Sequence, residues 1–228
     1  MIMNRLPRLI LIASTLLVLA SCHTSSQYSS ESEQIADKAR MTFQSMMKDN
    51  NFPGLVDLAM RAKAIIIVPN MLRAAFFFSG NGGNAVMLAR NNQGRWSDPA
   101  FYTIGGGGWG LQFGGQSSEI VVTVMTEKGL NAVMNRRVTL GADAGVALGE
   151  LGEGVNAATG MDLKADMYTF ARSQGLFAGI SLNGAWIQPR ADLDRQLYGP
   201  NATPQSILVD HASTSPSPAV TGLVAAMP

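Results

Sequence analysis

Residues 96–125, WSDPAFYTIGGGGWGLQFGGQSSEIVVTVM, decide how the rest of the chain is read. The stretch opens with a turn signal, Ser97-Asp98-Pro99, and a strand-like run from Phe101 to Ile104. Gly105 to Gly108 follow, then Trp109, Gly110, an alternating Leu111-Gln112-Phe113 and two more glycines. It closes on Ile120 to Met125, rich in β-branched residues as strands are. Glycine in such runs sits where a strand bends, bulges or lies close to another backbone. The composition predicts the spine of an antiparallel sheet, and no catalytic constellation falls within it.

The glycines formally fit a dinucleotide fingerprint twice, as Gly105-x-Gly107-x-x-Gly110 and as Gly80-x-Gly82-x-x-Ala85. That mechanism needs a helix to open directly after the glycines, so that its N-terminus faces the pyrophosphate. Alternation and then Gly114-Gly115 follow the first. The second runs through Ala85 to Ala89 into the turn-like Asn91-Asn92-Gln93-Gly94. Neither leaves room for a helix, and no Gly-Lys-Ser/Thr is present.

Upstream, Ala75–Phe78 and Ala85–Ala89 flank Ser79-Gly80-Asn81-Gly82-Gly83-Asn84, which predicts a hairpin with its turn in the glycines. Ile65–Val68, stopped by Pro69-Asn70, reads as a short buried strand. Two helices precede it. Ser30-x-x-Glu33 is a capping box, with Ile35, Ala39, Phe43 and Met46-Met47 at helical spacing behind it. The second starts near Pro53 and places Leu55, Leu58, Ala59 and Ala62 on one face; such stripes face a core or a membrane surface.

Residues 1–21 read as an export signal. Arg5 and Arg8 precede an apolar run, Leu9–Ala20, too short to span a bilayer. Leu19-Ala20-Ser21-Cys22 resembles the bacterial lipobox, in which the cysteine becomes the first mature residue and carries diacylglycerol on sulfur and an acyl chain on its amine. Two or three chains on Cys22 would hold durably where one holds marginally. His23, rather than Asp, follows Cys22, and by resemblance to Gram-negative sorting this favours the outer membrane. Residues 22–32 form a Ser-rich tether.

Downstream, Thr126 caps a short helix with Leu130, Val133 and Met134 facing inward. Val138–Gly149 alternates as one strand, apolar on one side and nearly free of side chains on the other. Asp143 is the only carboxylate on the bare side, either bonded locally or facing a ligand. Gly149–Gly160 is a polar loop. Ala165–Arg172 and Leu176–Ile187 read as strands joined by a turn at Ser173-Gln174-Gly175, and Asp192–Tyr198 as a short helix. Residues 201–228 form a Pro/Ser/Ala-rich, partly docked tail.

The chain has 228 residues, 46% hydrophobic and 14% charged, enough for one domain with a substantial core. Taking Arg5 and Arg8 from the 17 basic residues leaves 15 against 16 acidic ones. That balance carries no basic footprint for nucleic acid. Cys22 is the single cysteine, so no intramolecular disulfide or Cys-based zinc site forms. The two histidines, His23 and His211, lie in the expected tails. Cys-His and Ser-His-Asp catalysis are therefore not expected, nor is any cofactor.

Several separate motifs, in order, resemble the SYLF lipid-binding domain. They are Ala62–Ile65 through Pro69-Asn70, the Gly80–Arg90 segment, Trp96–Tyr102, the glycine block, Gln116–Glu119, Leu140–Ala144 and Tyr168–Leu182. The resemblance places the domain at residues 33–200. It implies a non-enzymatic domain; eukaryotic members occur in actin-patch and membrane-trafficking proteins and bind phosphoinositides through basic, amphipathic N-terminal segments. An anionic phospholipid headgroup suits an exported bacterial member better. The expected headgroup-binding residues are Arg61, Lys63 and Arg73, then Arg90, Arg95 and Arg172.

The expected fold is α+β, with N-terminal helices packed on a curved antiparallel β-sheet of barrel- or sandwich-like form. The expected function is that of a cell-envelope lipoprotein, anchored at Cys22 in the outer membrane and facing the periplasm, whose domain binds lipid. The alternatives are a lipid-tethered structural protein contacting an envelope protein partner, and an enzyme using Asp143, Glu119 or Asp166 as acid or base.

Overall fold

Ile65, Ile66, Ile67 and Val68 are buried without exception, and alternate residues point into two different hydrophobic clusters. Their strand is therefore covered on both faces, which explains an apolar run without alternation. The computed structural model describes residues 30–75, 78–109, 114–134, 136–148, 165–175, 182 and 184–228. The leader, Cys22, the tether to residue 29, the whole of the expected Gly149–Gly160 loop and much of the expected Leu176–Ile187 strand lie outside the described residues.

Strand β1 (Ala64–Ala75) pairs antiparallel with β2 (Phe78–Ala89) and with β4 (Gly114–Val124). Beyond β2 come β3 (Ala100–Trp109), β8 (Trp186–Pro189) and β5 (Val138–Thr139). Beyond β4 come β7 (Met167–Gly175) and β6 (Val146–Leu148), the last pair parallel. The order is β5-β8-β3-β2-β1-β4-β7-β6. The opening stretch thus supplies β3 and β4, with the β1–β2 hairpin lying between them.

The order forces the sheet to curl. A flat sheet of eight strands would hold its outer strands about 34 Å apart. Thr139 of β5 and Val146 of β6 are joined by seven peptide steps, which reach at most about 24 Å. A turn carrying Gly141 (φ 88°) and a bridge between Leu140 and Ala144 make that connection. Leu140 and Ala144 are buried with Ile66, Met87, Tyr102 and Val122 in the cluster on the concave face.

Four helices cover the opposite face: α1 (Glu31–Met47), α2 (Pro53–Arg61), α4 (Ala191–Tyr198) and α6 (Pro218–Ala225). They bury Phe43, Met46, Leu55, Leu193 and Leu223 against Ile65, Ile67, Val121 and Phe170. The concave face receives α3 (Glu127–Met134) and α5 (Pro204–Leu208). The α+β expectation holds. So does the Ser30/Glu33 capping box, in which each residue's side chain bonds the other's backbone, and Thr126 accepts from Gly129 N at 3.0 Å.

Four local expectations are overturned. β1 does not stop at Pro69-Asn70; it passes them with a bulge that shifts its register to both neighbours. Residues 79–84 are strand rather than turn, because Asn and Gly here pair across to β1 and β3. Ser173-Gln174-Gly175 is likewise the end of β7. The described part of the expected Val138–Gly149 strand is two short strands on opposite sheet edges, its alternation cut by the turn at Gly141. The expected tail is docked through buried Ile207, Leu208, Val220 and Leu223, and contributes to both clusters.

Candidate functional site

The end of the sheet where β1 starts and β2 finishes gathers four of the six expected cations. Arg61 ends α2, and Lys63 follows as its backbone N–H joins the Val124 carbonyl. Arg90 N–H bonds the Lys63 carbonyl at 2.7 Å, and Arg95 closes the neighbouring tight turn through its carbonyl to Asn91 N–H. Arg61 is exposed and has no polar partner among the described residues. Arg95 donates to Gln93 at 2.8 Å. Lys63 forms an exposed ion pair with Glu127 at 2.7 Å.

Arg90 is more constrained. Its guanidinium lies 4.4 Å from the Trp96 ring centre, donates to the Met60 carbonyl, and shares the Pro228 oxygen with Trp96 Nε1, both at 2.8 Å. Burial pushes its pKa down. Beside these cations α2 exposes Val56 and Met60, one helical turn apart. The periodicity reading singled out only the buried stripe of α2; the i, i+4 pair on its outer face was the available signal.

The other two cations lie elsewhere. Arg73 is on β1, across from Asn81 and Gln116 in register, with its side chain outside what is described. Arg172, on β7, is committed to a network: Nε donates to Glu119 at 2.8 Å, Nη1 to Asp49 at 3.4 Å and Nη2 to Ser45 at 3.0 Å. Hydrogen bonding by Glu119, ahead of the nearby Asp49 charge, raises its pKa further. Thr42 donates to the second Glu119 oxygen at 2.9 Å. This network ties α1 to β4 and β7.

The carboxylates considered for acid–base work do not converge. Asp143 is exposed in the turn after β5, where Oδ2 accepts from Thr139 N–H at 2.7 Å. Asp166 accepts from Thr126, Lys128 and Gly145 N–H, and the Thr126 hydroxyl leads in pulling its pKa down. Glu119 is held by Thr42 and Arg172. Each is occupied in a separate structural bond set.

A groove of about 840 Å³ runs between α1 and α6, with Asp37, Lys38, Arg40 and Met41 on one wall and Ala219, Gly222 and Ala226 on the other. A second pocket of about 320 Å³ opens on the far side of the Lys38–Met41 ridge, at the β1 bulge. Beneath α4 the fully buried Asp194 accepts from Phe101 N–H at 2.8 Å, while its other oxygen is unpartnered. Desolvation raises its pKa to about 7. His211, which the sequence left in a tail, is half-buried with φ 52° near Asp98 and hydrogen-bonds neither Asp98 nor a serine among the described residues. No helix among the described residues is long and apolar enough to cross a membrane.

Taken together, the curled sheet, the packed helical face and the cation-rich end describe a domain built around surfaces. The chain belongs to the Ysc84 family, described as "Las17-binding protein actin regulator", which matches residues 105–227 and corresponds to the SYLF domain that the motifs resemble. It is 34% identical over 167 residues to LAS seventeen-binding protein 3 of Saccharomyces cerevisiae, covering 72% of this chain and 36% of that one. It is 35% identical over 135 residues to SH3 domain-containing YSC84-like protein 1 of Xenopus laevis, covering 59% and 40%. The matched region is thus well under half the length of these relatives. No solved structure matches.

Proposed function

We propose that this chain is a non-enzymatic module that docks on an anionic phospholipid surface through the sheet end carrying Arg61, Lys63, Arg90 and Arg95. The supporting observation is the juxtaposition of these four cations with the exposed apolar pair Val56 and Met60. Cations hold an anionic headgroup layer at about 1 kcal/mol each near the surface, and short apolar side chains add shallow burial. Arg61 and Arg95 contribute most, because Lys63 shares its charge with Glu127 and Arg90 is bonded internally.

The same reading takes the chain as an envelope lipoprotein, held at Cys22 and directed to the outer membrane. The lipobox-like sequence supports it, and mass spectrometry of the N-terminal peptide tests it; an unmodified Cys22 in membrane-purified protein overturns it. Vesicle co-sedimentation tests the docking surface. Anionic phosphatidylglycerol vesicles should retain the chain better than phosphatidylcholine vesicles, and Arg61→Ala should weaken retention about fivefold. Equal retention on both overturns the electrostatic docking.

The names of the relatives favour a second reading. A family described as Las17-binding suggests that this chain also contacts a protein, here another envelope component. Crosslinking in intact envelopes, followed by identification of a partner protein with no lipid dependence, would favour that reading.

A further inference from the structure

Thioether sulfur is the oxidisable group that this domain presents to water. Cys22, the single cysteine, lies outside the described residues, so no thiol competes with methionine among them. Met46, Met71, Met87, Met134 and Met167 are buried in the two clusters, and Met47, Met125 and Met227 pack partly against the helical one. Met41 and Met60 stand apart, each 50% exposed. A dissolved oxidant therefore meets these two sulfur atoms before the others.

The two differ in where they sit. Met60 is in the last turn of α2, one turn after exposed Val56 and directly before Arg61. Its carbonyl accepts from the Arg90 guanidinium, and Arg90 N–H bonds the Lys63 carbonyl. The end of α2 is thereby pinned, and the Met60 side chain is presented on the cationic end of the sheet. Asp57 shares the exposed face of α2; hydrogen peroxide is uncharged, so neither this carboxylate nor the cations bar it. Met41 is on α1 and borders the pocket at Pro69-Asn70. That point lies six residues along β1 from Ala64, roughly 20 Å away.

The chemistry available at Met60 is a two-electron oxygen transfer. A lone pair on its sulfur attacks one oxygen of hydrogen peroxide. The S–O bond forms as the O–O bond breaks, and a proton shift releases water. Sulfur is oxidised to the sulfoxide and the peroxide is reduced. The product is a polar acceptor where the thioether was apolar. Such a group resists transfer from water into the boundary between headgroups and acyl chains. A reductase dithiol reverses the step: the sulfoxide oxygen leaves as water and the two thiols become a disulfide. Val56, the other apolar contact at this end, has no comparable reaction.

We propose that Met60 is a reversible oxidation site whose oxidant is a hydroperoxide, and that its sulfoxide releases the cationic sheet end from the surface on which it docks. The release rests on the docking reading above and supplies its regulation; the oxidation site itself does not depend on that reading. Met41, equally exposed but remote from that end, is the internal control, because it oxidises without consequence for docking.

The test treats the full chain with hydrogen peroxide and locates the added oxygen, methionine by methionine, by tandem mass spectrometry. Met41 and Met60 should oxidise about tenfold faster than Met46 and Met87. On phosphatidylglycerol vesicles Met60 should be protected about fivefold while Met41 is not. Retention of the oxidised chain on those vesicles should fall about fivefold, and a methionine sulfoxide reductase with its thiol reductant should restore it. Whatever its starting retention, Met60→Leu should show no further fall on oxidation, whereas Met41→Leu should fall as the parent does. Circular dichroism before and after peroxide separates release from unfolding. Met60 oxidising no faster than Met87 overturns the site. A parent retained equally well before and after oxidation, or a Met60→Leu chain that loses retention as fully as the parent, overturns the release. An unoxidised chain with no preference for phosphatidylglycerol over phosphatidylcholine overturns the docking reading and the release together, while the order of oxidation still decides the site.

Discussion

The same two strands behave differently at their two ends. In β1 and β2, Ala64–Val68 lies against Val86–Ala89 with residues buried on both faces. Further along, Leu72–Ala75 lies against Ser79–Gly82, where glycine, asparagine and an exposed leucine replace the aliphatics. The ladder continues through both halves, so backbone pairing does not distinguish them. Side-chain burial does, and the stability of the sheet should be concentrated in the first half while the second is free to be shaped for contact.

The sharpest test of that contrast is a pair of truncations. Ile66→Ala removes a side chain fully buried in the concave-face cluster, and should cost about 4 kcal/mol. Leu72→Ala, on the same strand, should change stability by less than about 0.5 kcal/mol. Urea unfolding of the two variants checks both; similar costs would dissolve the distinction between the halves. A second pair refines it within the glycines. Gly83→Ala drives a methyl group into the Asn70 carbonyl, which is backbone and cannot swing away, for about 3 kcal/mol. Gly80→Ala meets open space and should be near neutral or slightly stabilising.

That distinction also marks what could be read from the sequence. Helices α1 and α2 and the buried run in β1 were legible because caps and apolar periodicity are local signals. The glycine segments were misplaced for a physical reason. Ser79–Asn84 looks like a turn when judged by propensity alone, but its neighbours on both sides supply the pairing that propensity lacks. Val138–Gly149 failed in the opposite sense. Its alternation is genuine, yet the curl brings both sheet edges to it, and Gly141 divides it between them. At the candidate sites, the sequence names the cations of the sheet end only as separate residues. Their grouping, and the commitment of Arg172 to Glu119, depend on contacts far apart in the chain. Lys38 and Asn70 carried no sequence signal, because a lysine on a helix and an asparagine after proline are ordinary surface choices.

A pH-dependent comparison separates the helical face from the rest. Asp194 anchors α4 to β3 through Phe101 N–H and is fully buried, with no cation bonded to it among the described residues. Its folded-state pKa, raised to about 7, lies above the ordinary value of 3.8. The folded protein therefore holds the proton more tightly, and this contribution is complete below pH 3.8 and lost as pH rises through about 7. Asp194→Asn keeps an acceptor for Phe101 and cannot ionise. It should be more stable than the parent at pH 8, by on the order of 2–4 kcal/mol, and close to it at pH 4. Thermal melts across that range check it; parallel curves for the two proteins would place the titration elsewhere.

The smallest expected change in stability falls at the cationic end, where it discriminates most about function. Lys63 and Glu127 are both substantially exposed, and such pairs contribute about 0–1 kcal/mol. Glu127→Gln should therefore leave the melting temperature almost unmoved. It also releases Lys63 from its partner and removes a negative charge from the surface that carries Arg61 and Arg95. Retention on anionic vesicles should rise severalfold at low salt and converge with the parent as salt screens the surface. If retention instead falls, the carboxylate of Glu127 is itself part of the contact, and the partner at this end of the sheet is a surface with cations of its own, which a protein supplies more readily than an anionic bilayer.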